Sequence, residues 1–292
     1  MDIPMKRVPA RFLDTGEGPG AWNMALDEIL LEDCKARLAA GRPPESAPVT
    51  LRVYAWSPPA LSLGRSQRAR RDVRLGLLAE EGVDLCRRLT GGRAVLHEAE
   101  LTYALVGPAA ILGRTVEESY RRLSAGVAEG LRRLGARVEF GPPGGGGYAS
   151  QPSCFATTSV HEISIGGRKV VGSAQCRAGG ALLQHGSVLL RSPEARLARL
   201  LRPRGREREE ERREGDAAGP SGNGLAGGHA VGLCEALGRE VSFGEAARAL
   251  REGLEEAGGF VFGEEPLRPD ERARAEALAA GRYADPEWTL MR

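Results

Sequence analysis

Five cysteines stand in this 292-residue chain: Cys34, Cys86, Cys154, Cys176 and Cys234. Their number is odd, their spacing is wide and no CxxC pair occurs, which fits neither a disulfide framework nor a zinc site, so reduced thiols are the default. A free thiol most often fills a small apolar hole in a core. Cys34, Cys86 and Cys234 lie in periodic apolar patterns that suit this fate. Cys154 sits differently, in PSCF at the end of the glycine- and proline-rich stretch GPPGGGGYASQPS (141–153). That is where a loop nucleophile would be placed, with a buried, inert thiol as the alternative.

Lysine is the second informative residue type. Of 41 basic residues only Lys6, Lys35 and Lys169 are lysine, and a lysine can be tuned by its surroundings where a guanidinium stays charged. Lys169 follows the Gly166-Gly167 pair and opens a strand; an exposed strand edge is its plain alternative. Gly91 and Gly92, lacking a Cβ, allow close approach of a ligand and can aim N–H groups at a carbonyl oxygen, or they simply form a strand-to-strand turn. His97 and His185 are candidates for orienting groups around a site, or are hydrogen-bonded histidines on buried strands. His161 and His229 carry no motif, and no His, Cys or carboxylate spacing resembles a metal ligand set.

The elements that must position these residues follow from periodicity and breakers. Residues 19–40 predict a helix, with Pro19 suited to a first turn and Trp22, Ala25, Leu26, Ile29 and Leu30 on one face. A loop is expected over 41–48. Strands are expected near Phe12 and over 49–56 and 60–64, a helix around 72–82, and VDLCRRL over 83–89. One or two strands follow in AVLHEAELTYALV, then a long helix over 115–134. HEISIGGRKVVGSAQ predicts a hairpin around Gly166-Gly167, and ALLQHGSVLL a further strand. The mixed-charge and glycine-rich run over 204–228 reads as a solvated linker, with a short charged helix at its start as the alternative. Helices are expected over 229–257 and 269–283. The implied organisation is a catalytic domain over 1–203, the linker 204–228, and a small helical appendage over 229–292.

Composition narrows the class. Hydrophobic residues at 41% and charged residues at 27% are ordinary for a soluble globular domain. A net charge of +2 gives no argument for nucleic acid. The first 16 residues lack an apolar leader and no window approaches a membrane span, so a cytoplasmic protein without membrane or nucleic-acid partners is expected.

Four segments combine into a more specific pattern: LSLGRSQ (61–67), RRLTGGRAVLH (87–97), PSCF (152–155) and GRKVVGSAQCRAGGALLQHGSVLL (167–190). In this order they resemble the biotin and lipoate protein ligase superfamily, and within it the cysteine-dependent octanoyltransferases of lipoyl synthesis (LipM type). The resemblance runs from about residue 10 to 201 and resumes at RYADPEW. It implies an α/β (α+β) fold with a mixed β-sheet flanked by helices. It implies that Cys154 accepts the acyl group, that Lys169 contacts the acyl carbonyl and favours the thiolate, and that Arg88, Gly91, Gly92, His97 and His185 line the acyl or carrier-arm site. The implied donor is octanoyl-acyl carrier protein. The implied acceptor is a lysine of a lipoyl carrier protein, the glycine cleavage H protein or a dehydrogenase E2 domain. No cofactor or metal is implied, and a monomer is favoured. An ATP-dependent lipoate ligase and an octanoyl-carrier amidotransferase are the alternatives within the superfamily; a non-catalytic acyl-carrier-binding protein is the alternative outside enzymes.

Overall fold

The computed structural model describes residues 7–141, 162–202 and 229–291. Cys154, nearly all of the expected 141–153 loop and the 204–228 linker lie outside the described residues. The chain opens with β1 (Val8–Gly18) and α1 (Gly20–Ala39), then β2 (Val49–Trp56), β3 (Ala60–Leu63), α2 (Ala69–Asp72), α3 (Leu75–Glu80), β4 (Asp84–Arg87), β5 (Val95–His97) and β6 (Glu100–Pro108). It continues through α4 (Ala109–Leu112), α5 (Val116–Arg133), β7 (Val138–Phe140), the hairpin of β8 (Ile163–Ile165) and β9 (Arg168–Ala178), β10 (Ala181–Leu189) and α6 (Glu194–Leu200). After the undescribed stretch come α7 (Leu233–Leu237), α8 (Phe243–Glu256), β11 (Phe260–Glu264), α9 (Pro269–Leu278), a π turn over Ala279–Tyr283 and α10 (Pro286–Leu290).

Eight strands form one mixed sheet in the order β11-β1-β2-β6-β10-β9-β8-β7, and β4-β3-β5 form a second, small sheet. β1 runs parallel to both β2 and β11; the pairs from β2 through β7 are antiparallel. Strand alternation divides β6 between two cores. Leu101, Tyr103 and Leu105 pack with Leu123, Val127 and Leu131 of α5 and Leu250 and Leu254 of α8. Ala104 and Val106 face α1, meeting Leu26, Leu30 and Leu31. The polar residues of that second face, Thr102 in β6 and His185 and Ser187 in β10, therefore lie between the large sheet and the small one.

Three expectations are corrected. The helix expected over 72–82 is broken between α2 and α3, because Val73 bridges to Leu201 and the Arg74 N–H donates to the Leu200 carbonyl. Residues 229–291 are not a separate helical appendage. β11 is an edge strand of the main sheet, α8 packs along α5, and α9 packs on α1. A buried salt bridge of 2.7 Å between Arg11 in β1 and Glu271 in α9 fastens that arrangement. The helix expected over 229–257 also stops at Gly238, whose φ of +64° ends α7, and restarts where the Ser242 hydroxyl accepts from the Glu245 N–H.

The helices α5 and α8 touch through glycine. A Cβ on Gly253 would lie 2.1 Å from the Gly130 nitrogen and 2.4 Å from the Gly126 carbonyl oxygen. Gly253→Ala must push the helices apart, and overpacking of this kind costs about 1–3 kcal/mol. A fall of several degrees in the thermal midpoint is expected, read by circular dichroism. Gly244→Ala, on the same helix with no heavy atom within 4 Å of its new Cβ, should hold or raise the midpoint through helix propensity alone.

Candidate functional site

Two turns meet at the top of the small sheet. Gly64, after β3, comes so close to the Thr90-Gly91-Gly92 turn that a Cβ on it would sit 2.1 Å from the Gly92 carbonyl oxygen. The Arg65 N–H donates to the Thr90 carbonyl at 2.9 Å. Gly92 itself has φ +92°, a conformation that L side chains rarely adopt. Segments LSLGRSQ and RRLTGG thus form one backbone-to-backbone unit.

Arg88 is buried beneath this unit and all five of its N–H groups meet protein acceptors. Nε donates to Thr90 Oγ1 (3.1 Å), Nη1 to the Ser62 carbonyl and hydroxyl (3.1 and 3.0 Å), and Nη2 to the carbonyls of Gly91 (3.0 Å) and Arg93 (2.6 Å). Expected as a residue lining the acyl or carrier-arm site, it does line a cavity, but its hydrogen bonds are spent on holding the turn.

His97 and His185 converge on the same guanidinium. His185 in β10 places Nε2 2.7 Å from Thr90 Oγ1 and Nδ1 3.1 Å from Asp27 Oδ2 on α1. His97 in β5 places Nε2 2.7 Å from Ser62 Oγ and Nδ1 2.7 Å from Glu100 Oε1. The indole of Trp56 stacks on the His97 ring at 4.0 Å and donates to Thr102 Oγ1, which donates in turn to Glu100. Asp27 also accepts from Arg52 Nη1 (2.7 Å) and the Tyr54 hydroxyl (2.9 Å). Arg88, His97, His185, Ser62, Trp56 and Tyr54 are among the walls of a cavity of about 30 Å³, floored in part by Gly172 and Ala174 of β9. That is room for a water or two.

Lys169 is buried, 1% exposed, with Nζ 2.5 Å from Glu162 Oε1; it is not the exposed edge residue that a strand-opening lysine usually is. Its backbone is gripped on both sides, N–H to the His229 carbonyl and C=O to the Val231 N–H, both at 2.9 Å. It does not wall the small cavity: Gly172, which does, lies three residues further along β9, roughly 10 Å at strand rise. Gly91 and Gly92 sit at the far end of Arg88. The residues that sequence reasoning missed are Asp27, Ser62, Thr90, Glu100, Thr102 and Ser187. Their one signal was polarity where the pattern assigns burial, as in Asp27 within MALDEILL.

The thiols and titratable groups sort by burial. Burial pushes Cys34 up to about 11 and Cys86 to about 12, and raises Cys176. Burial also holds His185 below the usual imidazole range, outweighing the pull of Asp27. Asp27 goes the other way: burial alone would raise its carboxyl, but the Arg52 guanidinium and His185 hold it below the ordinary value. Among the described residues no group of three or more His, Cys, Asp or Glu could hold a metal ion, and no helix is long and apolar enough to cross a membrane.

Known proteins resemble this arrangement along nearly its whole length. The family described as "Lipoyl protein ligase A/B catalytic domain" matches residues 19–254. An octanoyltransferase LipM of Kyrpidia tusciae is 41% identical, covering 95% of this chain and 97% of the relative. One of Geobacillus kaustophilus is 37% identical, covering 97% and 98%. Among solved structures, a lipoate-protein ligase A bound with ATP superposes with a TM-score of 0.75 at 23% identity, covering 97% of this chain and 98% of that one. At that identity the last likeness is one of fold.

His185 gives the site a pH signature. An unfolded imidazole titrates near 6.5, whereas folded His185 titrates lower, so below about pH 7 the unfolded state binds more protons and stability falls, by up to about 1.4 kcal/mol per pH unit for one group. Asp27, Glu81 and Glu245, whose values are also lowered, lend stability that is present above their unfolded values and is lost only below about pH 4.5. The thermal midpoint should therefore drop between pH 7 and pH 5, and the slope should flatten in His185→Gln.

Proposed function

This chain belongs to the lipoyl protein ligase A/B catalytic-domain family and is an octanoyltransferase of lipoate biosynthesis, and from that premise we propose that the octanoyl group travels through a thioester on Cys154. The thiolate of Cys154 attacks the thioester carbonyl of octanoyl-acyl carrier protein, the carrier's thiol leaves, and the acyl group stays on sulfur. The amine of a lysine on a lipoyl carrier protein, such as the glycine cleavage H protein or an E2 domain, then attacks the same carbonyl. An amide forms, the carbon–sulfur bond breaks, and the departing Cys154 sulfur takes up the proton that the amine gives up. Thioester exchange is nearly neutral and aminolysis runs downhill, so the reading requires neither ATP nor a cofactor. It places a monomer in the cytosol.

One observation carries the choice of sulfur. Cys34, Cys86 and Cys234 are buried, burial keeps Cys34, Cys86 and Cys176 protonated at neutral pH, and Cys234 is engaged with Glu240 and Val241. A thiol held protonated is a poor nucleophile. In this reading the ammonium of buried Lys169, held at 2.5 Å by the part-buried Glu162, also faces the Cys154 sulfur, where a cation favours thiolate. Deprotonating the acceptor is the harder half. At pH 7 an unperturbed lysine amine is neutral in about one molecule in 2,500, so a site that keeps Lys169 cationic favours loss of a proton from the incoming amine. N–H groups of the Gly91-Gly92 turn are the donors assigned to the tetrahedral oxyanion. The narrow cavity lies beside flexible Met24, a side chain suited to yielding space to an acyl chain.

Intact-protein mass spectrometry of the purified chain mixed with octanoyl-acyl carrier protein, without ATP, tests this. An octanoyl adduct is expected that is removed by hydroxylamine, absent in Cys154→Ala and retained in Cys176→Ala. No adduct in the unaltered protein, or an adduct that survives Cys154→Ala, would overturn the thioester route. Acylation of the acceptor only when ATP is supplied would put a ligase in its place.

A further inference from the structure

We propose that Asp27 and Glu100 are positioning residues for octanoyl transfer, each setting the direction of a hydrogen-bond relay through one histidine and one hydroxyl to Arg88, and through Arg88 to the Gly91-Gly92 turn. Only the turn's place in catalysis rests on the octanoyl-transfer reading; the relays themselves rest on geometry.

A carboxylate accepts hydrogen bonds and donates none. Asp27 Oδ2 beside His185 Nδ1 therefore requires that nitrogen to carry the ring proton. In a neutral ring Nε2 is then a bare acceptor, so the Thr90 hydroxyl 2.7 Å away must donate to it. With its proton committed, Thr90 Oγ1 has only lone pairs to offer, and Arg88 Nε donates into one of them. The second relay repeats the sequence with different residues. Glu100 Oε1 fixes the proton on His97 Nδ1, Ser62 Oγ donates to His97 Nε2, and Arg88 Nη1 donates to Ser62 Oγ.

Every hydrogen in both relays points away from one guanidinium and toward a carboxylate. The two carboxylates come from α1 and β6, the histidines from β10 and β5, and the hydroxyls from the turn after β4 and from β3. The fork of Arg88 is thus oriented from two sides by groups on both sheets, leaving Nη2 aimed at the Gly91 and Arg93 carbonyls. Each carboxylate is itself fixed: Asp27 by Arg52 and Tyr54, Glu100 by Thr102 and Ser187. An amide in place of either carboxylate removes the directional rule, because it can present an N–H to Nδ1. The ring could then take its proton on Nε2 and donate to the hydroxyl, whose own hydrogen loses the imidazole as its acceptor and must turn to a third direction. A buried hydroxyl hydrogen would be left without its partner beside the guanidinium, and the hold of the relay on Arg88 and on the turn would loosen.

Two-bond 1H–15N correlation spectra of the imidazole rings, assigned with single histidine variants, read the relays directly. At pH 7.5 both His97 and His185 should be neutral with the proton on Nδ1; an Nε2-protonated ring or an imidazolium at either position overturns the proposal. Asp27→Asn also strips Arg52 of its buried partner, so folding loss could mask its effect; Glu100→Gln and Thr90→Val are the working variants. Glu100→Gln should move His97 toward the Nε2 tautomer, and both variants should lower kcat for octanoyl transfer roughly 10- to 100-fold, as small displacements of positioned groups do, with KM for octanoyl-acyl carrier protein changed less than their kcat. A folded Glu100→Gln with unaltered tautomer and kcat overturns it. Failure of the unaltered protein to transfer octanoyl at all would count against the octanoyl-transfer reading, while the ring spectra would still decide the relays.

Discussion

Two adjacent guanidiniums on one short strand and its continuation, Arg87 and Arg88, hold together the end of this protein that carries the candidate site. Alternation sends neighbouring side chains to opposite sides, so the pair serves two clients. Arg88 faces inward to the glycine turn and the histidines. Arg87, with no exposed surface, donates to the carbonyls of Gly64, Arg65 and Gln67 on one side and of Trp288, Thr289 and Met291 on the other. A buried guanidinium is tolerable only when its donors are met. Here the need is met by backbone carbonyls, which ties the turn after β3 to the end of α10, far apart in sequence.

The same logic explains a polar layer between two apolar cores. On the α5 side of the sheet, packing is by Leu, Val, Ala and aromatic rings. On the α1 side it gives way to Arg52, Asp27, His185, Thr90, Ser62, His97 and Glu100. Glu100 Oε1 takes three donors while Oε2, also buried, has no hydrogen-bond partner among the described residues; a network satisfied to this extent is rigid and specific. The α5 face beneath it is packed as closely: a Cβ on Gly186 would sit 2.7 Å from Tyr103 Cε1 and 2.8 Å from Ser173 Oγ, so a larger residue there would have to displace those side chains.

Much of the fold was legible in the sequence because the signals were local. α1, β2, β6, α5 and the β8-β9 hairpin follow from periodicity and glycine pairs. β11 was missed although Phe260 and Phe262 alternate with exposed Val261, because five residues between two helical patterns carry little weight until β1 is seen to lack a neighbour. The broken helix at Val73 depended on a partner 128 positions away at Leu201. At the site, Arg88, His97 and His185 were legible as motif. Their carboxylate and hydroxyl partners were not, since Asp27 and Thr90 reach His185 only through tertiary packing. Cys154 was singled out by its loop and its motif, and the described structure bears on it only by showing how the other thiols are engaged.

The pairing of first strand with nearly last element has a consequence for synthesis on the ribosome. β1 gains its outer neighbour only when Phe260–Glu264 has been made, Arg11 gains Glu271 later still, and Lys169 has its backbone partners only after His229–Val231. At 5–20 residues per second the interval between completing β1 and completing β11 is roughly 12–50 s. Throughout it the growing chain carries an open strand edge, the kind of surface that invites mispairing. The lysine assigned to catalysis stays unbraced for part of the same period, so a nascent chain holds its reactive groups unassembled until most of the polypeptide has emerged.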